Sequence, residues 1–112
     1  MKPDDRIRLL HIRDALGSAI RFIEGRSCND LDKDAMVGFA LMRAIQIVGV
    51  AANKISQETR DRHPQIPWAE IIGMRHRLAH AYIEIDPDIL WETVTEAAPA
   101  LLAQVKSILE GG

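Results

Sequence analysis

Residues 35–52 read AMVGFALMRAIQIVGVAA, and this stretch decides the fold. Its strongly polar side chains are Arg43 and Gln46, so a helix here is apolar on nearly every side instead of along one stripe. Such a helix needs other helices around it. Aromatic residues make up 4% of the chain, which favours a bundle packed from aliphatic side chains over a β-sandwich. The stretch therefore predicts the central helix of an all-α protein.

A membrane span is the alternative interpretation, because a stretch of this length approaches what a bilayer crossing needs. However, Arg43 and Gln46 lie in its middle, and no interfacial aromatic residues flank it. We therefore expect no membrane partner. Gly38, Gly49 and the neighbouring alanines allow close approach, on one side by this chain and on another by a second subunit. A homodimer is predicted.

The flanking sequence adds further helices. Apolar residues recur at three- and four-residue steps from Asp4 to about Glu24, where Gly25 can end the first helix. Asn29 or Asp30 is expected to cap the central helix, which is predicted to continue to about Arg60.

Prolines set the later boundaries. Pro64 and Pro67 predict a turn, with Pro67 at the first position of a third helix. Pro87 begins a last helix, predicted to run to about Glu110 and to bend at Pro99. The pattern predicts one domain over residues 1–112, an antiparallel up-and-down bundle of four to five helices.

Charge and cysteine content restrict the possible functions. The net charge is −2, so there is no long-range field to gather nucleic acid, and any contact with RNA must be local. The basic part of the chain is residues 54–80. The single cysteine, Cys28, excludes an internal disulfide, and the charged start of the chain does not look like a signal peptide. We expect a cytoplasmic protein.

The candidate site is residues 75–82, which read RHRLAHAY. Arg75 can bind phosphate oxygens, and His80 can take a proton from a 2′-hydroxyl, which together would cleave RNA without a metal. On a straight helix the two residues are separated by about 140° of rotation around the helix axis and by roughly 7.5 Å of rise along it. They could converge on one phosphate if the helix frays near His80, or if a twofold axis brings a second copy alongside. His76 and His80 share a face and could ligate zinc, but no third ligand suggests itself, so no cofactor is predicted.

The same stretch resembles the motif of HEPN-domain proteins, specifically the HepT-like toxins: arginine, a polar residue, three variable residues, histidine, any residue, tyrosine. Residues 47–56 are similar to that family's second-helix signature, and residues 63–68 to its proline–tryptophan turn. Residues 86–91 and Pro99 also match. The resemblance covers most of the chain.

This resemblance implies a helical dimer in which Arg75 and His80 of both subunits form a composite ribonuclease cleft, with His76 and Arg77 in support. It also implies an antitoxin partner, a minimal nucleotidyltransferase that transfers AMP to the motif tyrosine, here Tyr82, as in type VII-like toxin–antitoxin pairs. This chain has Gly49-Val50-Ala51 where the family usually has Gly-Glu-Ala, so it lacks that carboxylate. The difference bears on the catalytic rate. The alternative hypothesis is a non-catalytic dimeric module that binds the nucleotidyltransferase.

Overall fold

The computed structural model describes residues 1–80 and 87–111, with the backbone alone for residues 32 and 75–80. Every regular element in these ranges is helical, which confirms the all-α prediction. The helices are α1 (Pro3–Phe22), α2 (Asp30–Lys33), α3 (Ala35–Lys54), α4 (Gln57–Arg62), α5 (Trp68–His80), α6 (Pro87–Glu92) and α7 (Ala98–Glu110), with a π-helical segment, Thr93–Ala97, joining the last two.

Helix α3 is central, as predicted. It packs against α1 along one side and against α5 along another, while α7 packs on α1. By length and composition α3 could also cross a membrane; in this structure it packs against neighbouring helices, with 44% of its most apolar window buried. Arg43 points to solvent, so this charge in the middle of the apolar stretch needs no buried counter-ion.

The buried side chains form two clusters, one towards each end of the bundle. The first cluster joins the N-terminal half of α1 to the C-terminal half of α3 and to α7. The second joins the C-terminal half of α1 to the N-terminal half of α3 and to α6. Helices α1 and α3 are therefore antiparallel. Helix α5 contacts the first cluster through Ile71 and the second through Met74, so it runs antiparallel to α3.

The prediction of one continuous central helix from Asp30 to Arg60 is wrong, because the chain breaks twice. Asp34 adopts extended dihedrals, and its Oδ1 accepts from the Met36 N–H at 3.1 Å, so Asp34 caps α3. No side-chain capping bond comes from Asn29. The second break is at Ile55 and Ser56, where both residues are extended and the Ser56 hydroxyl accepts from the Thr59 N–H. Local side-chain bonds thus override apolar periodicity at both points.

A buried carboxylate fixes the second break. Asp5, 3% exposed, accepts from the Ser56 N–H at 2.9 Å, the Ser56 hydroxyl at 2.6 Å and the Thr59 hydroxyl at 2.6 Å. Burial, the largest single influence, raises the pKa of Asp5, but the Ser56 and Thr59 bonds and the charge of Lys2 together lower it below its usual 3.8. The ionised Asp5 therefore ties α1 to the start of α4.

Glycine and proline act close to where the sequence places them. Helix α1 ends at Phe22, and Gly25 follows with a positive φ of 73°, the conformation that favours glycine after a helix. The last helix is α-helical on either side of the π-helical segment Thr93–Ala97, which directly precedes the turn containing Pro99. A proline removes the amide that would bond to the carbonyl four residues earlier, and the wider π turn accommodates that loss.

Candidate active site

Helix α5 carries four of the five predicted site residues, Arg75, His76, Arg77 and His80, in its C-terminal half. The fifth, Tyr82, lies outside the described residues. Helix α5 is helical from Trp68 to His80, so the backbones of Arg75 and His80 lie on one helix. Five positions along a regular helix leave them about 140° apart in rotation. Both predicted routes to convergence, fraying of the helix near His80 and pairing with a second copy of the motif, stay predictions.

The start of α5 is held by four contacts that the sequence did not predict. Ile66, 2% exposed, anchors the preceding turn in the first buried cluster. The indole Nε1–H of Trp68 donates to the His63 carbonyl at 3.0 Å, and the Gln104 amide of α7 donates to the Gln65 carbonyl at 3.2 Å. Pro67 lies one residue before the helix, and its carbonyl accepts from the Ile71 N–H. These contacts fix where α5 starts and hence where its motif half lies.

The motif half of α5 lies at the end of the bundle that carries most of the exposed large apolar side chains; Met1 and Ile7, which are also exposed, lie at the other end. Met74, immediately before Arg75, packs against the second buried cluster with the N-terminal half of α3. On that half of α3, Met36 is 78% exposed and Phe39 63%. Phe22 and Ile89, from the parts of α1 and α6 that belong to the same end, are also exposed. Exposed apolar residues of this size are typical of a surface that another chain covers.

Gly38 lies close to these residues in sequence, and a Cβ placed there would meet no atom within 4 Å. The expectation that Gly38 permits close approach is therefore not met within this chain. Gly49, by contrast, is buried in α3.

Among the side chains that the structure describes, no three His, Cys, Asp or Glu residues are arranged to hold a metal ion. The side chains of His76 and His80 are not among them, so the zinc pair stays a prediction.

The structure is that of a small all-α domain in which an arginine and a histidine, Arg75 and His80, lie on one helix. A family model described as "Ribonuclease HepT-like" matches residues 12–108. This chain belongs to the HepT-like ribonuclease family.

Individual relatives agree with this assignment. "Putative RNase TTE0752" of Caldanaerobacter subterraneus subsp. tengcongensis is 37% identical over 102 residues, covering 91% of each chain. "Probable ribonuclease HepT" of Thermococcus cleftensis is 33% identical over 108 residues, covering 96% of this chain and 98% of its own. "Putative RNase MJ1380" of Methanocaldococcus jannaschii is 31% identical over 107 residues, covering 96% and 98%. No solved structure gives a significant match.

Proposed function

We propose that this protein is a metal-independent RNA endonuclease, the toxin of a toxin–antitoxin pair, with an active site formed by Arg75 and His80 of two subunits. One observation carries the proposal: the chain belongs to a ribonuclease family and has the arginine and histidine of the motif on one continuous helix. RNA is the substrate.

The chemistry is transesterification. The Arg75 guanidinium, charged at any working pH, binds the non-bridging oxygens of the scissile phosphate. A neutral His80 takes the proton from the 2′-hydroxyl as the 2′-oxygen bonds to phosphorus, and the bond from phosphorus to the 5′-oxygen breaks. The imidazolium of the same His80 then gives this proton to the leaving 5′-oxygen. The products are a 2′,3′-cyclic phosphate and a 5′-hydroxyl, and proton transfer contributes about 10²–10⁴-fold.

Dimerisation through the exposed apolar end is part of the proposal. Met36 and Phe39 lie on the half of α3 that runs beside the motif half of α5. Covering these side chains with the same surface of a second copy would bring two motifs together around a twofold axis. His76 and Arg77 would support the cleft.

Regulation is proposed to occur at Tyr82, which a minimal nucleotidyltransferase antitoxin would modify with AMP. A phosphate-linked nucleotide two residues from His80 would place negative charge and bulk where the RNA phosphate binds. RNA would then be excluded.

The second candidate function is a non-catalytic dimer that binds the nucleotidyltransferase. The observation in its favour is Val50, half-buried on α3, where the family usually has a carboxylate. Without that carboxylate a motif side chain could be held less firmly, which would lower activity without changing the fold.

Mixed dimers test the composite site. Arg75→Ala and His80→Ala proteins, each inactive alone, are co-expressed with different tags so that the mixed dimer can be purified. If one cleft uses Arg75 of one subunit and His80 of the other, the mixed dimer regains part of the wild-type RNA cleavage. A mixed dimer as inactive as its parents would contradict a site shared between subunits.

The dimer surface has its own test. Phe39→Glu puts a charge into the apolar end and is expected to shift the protein from dimer to monomer in sedimentation velocity, with loss of cleavage. Ile7→Glu is the matched control, since Ile7 is 47% exposed but lies near the start of α1, at the other end of the bundle. Dimerisation unaffected by Phe39→Glu would place the interface elsewhere.

A further inference from the structure

A surface cavity of about 400 Å³ lies between α4 and the start of α5. Its volume falls within the range of small-ligand sites, roughly 300–1,000 Å³. Its lining is polar on the α4 side and apolar on the side of α5 and the turn before it: Gln57, Arg60 and Asp61 face Pro64, Trp68, Ala69 and Ile72 across the cavity.

The apolar side of the cavity contains a fixed aromatic ring, that of Trp68. Trp68 is half-buried, packs against the first buried cluster and donates its indole N–H to the His63 carbonyl at 3.0 Å. An indole held in this way is pre-organised for stacking. Unpaired RNA bases stack on aromatic side chains, and each such contact contributes about 1–3 kcal/mol.

The polar side has a carboxylate set in one orientation. The Gln57 amide donates to Asp61 Oδ1 at 2.8 Å across one turn of α4. An ionised carboxylate only accepts hydrogen bonds, and guanine presents two adjacent donors, N1–H and the N2 amino group, on its Watson–Crick edge. Adenine, cytosine and uracil present a single donor group there. A carboxylate also repels the phosphates of RNA unless a base donates hydrogen bonds to it. Asp61 therefore favours guanine.

A positive charge lies beside this carboxylate. The Arg60 side chain donates to the Ile55 carbonyl at 3.1 Å and to the Asn53 carbonyl at 2.8 Å, which fixes its guanidinium at the end of α3. A cation held at this position can attract the phosphate of a nucleotide whose base occupies the cavity.

The register of α5 connects the cavity to the motif. Trp68 and Arg75 are seven residues apart, which is about 700° of rotation and therefore within roughly 20° of the same direction, with about 10.5 Å of rise. Ile72 lies between them along that stripe. An RNA strand with one base in the cavity can continue along this side of α5 towards residue 75.

We propose that this cavity is a subsite for an unpaired base of the RNA substrate, stacked on Trp68, in which Asp61 selects guanine. The subsite would decide where the strand is cut relative to a guanosine. The inference rests on the proposed function, because the substrate is RNA and the phosphate is bound at Arg75.

Fluorescence titration tests the subsite without requiring cleavage. The chain has two tryptophans, so Trp91→Phe leaves Trp68 as the reporter, and His80→Ala prevents turnover. The probes are short 2′-O-methyl oligouridylates with one guanosine or one adenosine. The guanosine probe is expected to quench Trp68 and to bind about tenfold more tightly than the adenosine probe, because a bidentate base contact discriminates by about 1–3 kcal/mol.

Two substitutions make the test specific. Asp61→Asn is expected to remove most of the guanosine preference, whereas Glu58→Gln, the same loss of charge on α4 outside the cavity, leaves it intact. Binding without quenching, or equal affinity for the two probes before substitution, would overturn the subsite while leaving the ribonuclease proposal standing. Guanosine-dependent quenching by a protein that cleaves no RNA would support the subsite and contradict the proposed activity.

Discussion

We expect removal of the Asp5 carboxylate to destabilise the fold more than any other single substitution near the surface of α1. In Asp5→Ala, the Ser56 N–H and the hydroxyls of Ser56 and Thr59 lose their common acceptor. Hydrogen bonds to a charged group contribute about 1.5–3 kcal/mol each. The two hydroxyls can turn towards other acceptors, so we expect a net loss of about 3 kcal/mol rather than the full sum.

Thermal unfolding converts this loss into a measurable shift. At about 2.1 cal/mol/K per residue, a chain of this length has an unfolding entropy of about 0.24 kcal/mol/K, so Tm should fall by about 12 °C. Asp4→Ala is the control, since Asp4 is exposed in the same first turn and loses mainly its interaction with the helix dipole, about 0.5 kcal/mol. Equal shifts for the two variants would refute the argument.

The pH dependence of the same pair gives an independent check. The pKa of Asp5 is lowered in the folded state, so its stabilising contribution is fully present above the unfolded pKa and is lost as pH falls through the lower folded pKa. The stability difference between wild type and Asp5→Ala should be constant from pH 7 to about pH 5 and shrink in acid below about pH 4. A difference that persists or grows in strong acid would show that Asp5 acts otherwise.

Substitutions elsewhere are expected to separate backbone effects from packing effects. Gly25→Ala should lower the free energy of unfolding in urea by about 1 kcal/mol, because Gly25 has a positive φ. Gly38→Ala should raise it by about 0.5–1 kcal/mol, because Gly38 lies inside a helix with open space for a Cβ. Changes of the same sign in both variants would contradict this reasoning. Ala97 lines an apolar cavity of about 410 Å³ that is bordered by α1, α3, α5 and α7, so Ala97→Leu should raise Tm by a few degrees. Ala103 is exposed like Ala97 but lies on α7 outside the cavity, so Ala103→Leu should not raise it.

Much of the fold follows from the sequence because apolar periodicity and helix breakers act locally. The uninterrupted apolar residues of α3 require surrounding helices, and Gly25 and Pro67 lie within a few residues of the boundaries they predict. The sequence pattern did not predict the two breaks in the central helix, because each break depends on a capping hydrogen bond. Many polar residues resemble Asp34 and Ser56 in their poor fit to a helix interior, so residue type alone does not mark these two positions as caps. Their capping role is seen in the hydrogen bonds that their side chains accept from backbone N–H groups.

The Asp5 cluster could not have been found by spacing. Its members are 51 and 54 residues apart in the chain and meet because α1 and α3 are antiparallel. For the candidate site, the sequence gives the residues of the motif, and the structure adds that Arg75 and His80 lie on one continuous helix, Trp68–His80. The proposed pairing of two motifs depends on a second chain, and neither periodicity nor the fold of one chain specifies it.

Cleavage of RNA in excess EDTA is the most direct measurement of the central claim. Wild-type protein, Arg75→Ala and His80→Ala are purified identically and incubated with RNA, and the product ends are identified by mass spectrometry. The wild type is expected to produce 2′,3′-cyclic phosphate and 5′-hydroxyl ends, and both variants are expected to be inactive. Cleavage that requires an added metal, or equal cleavage by all three proteins, would contradict the proposed metal-independent mechanism.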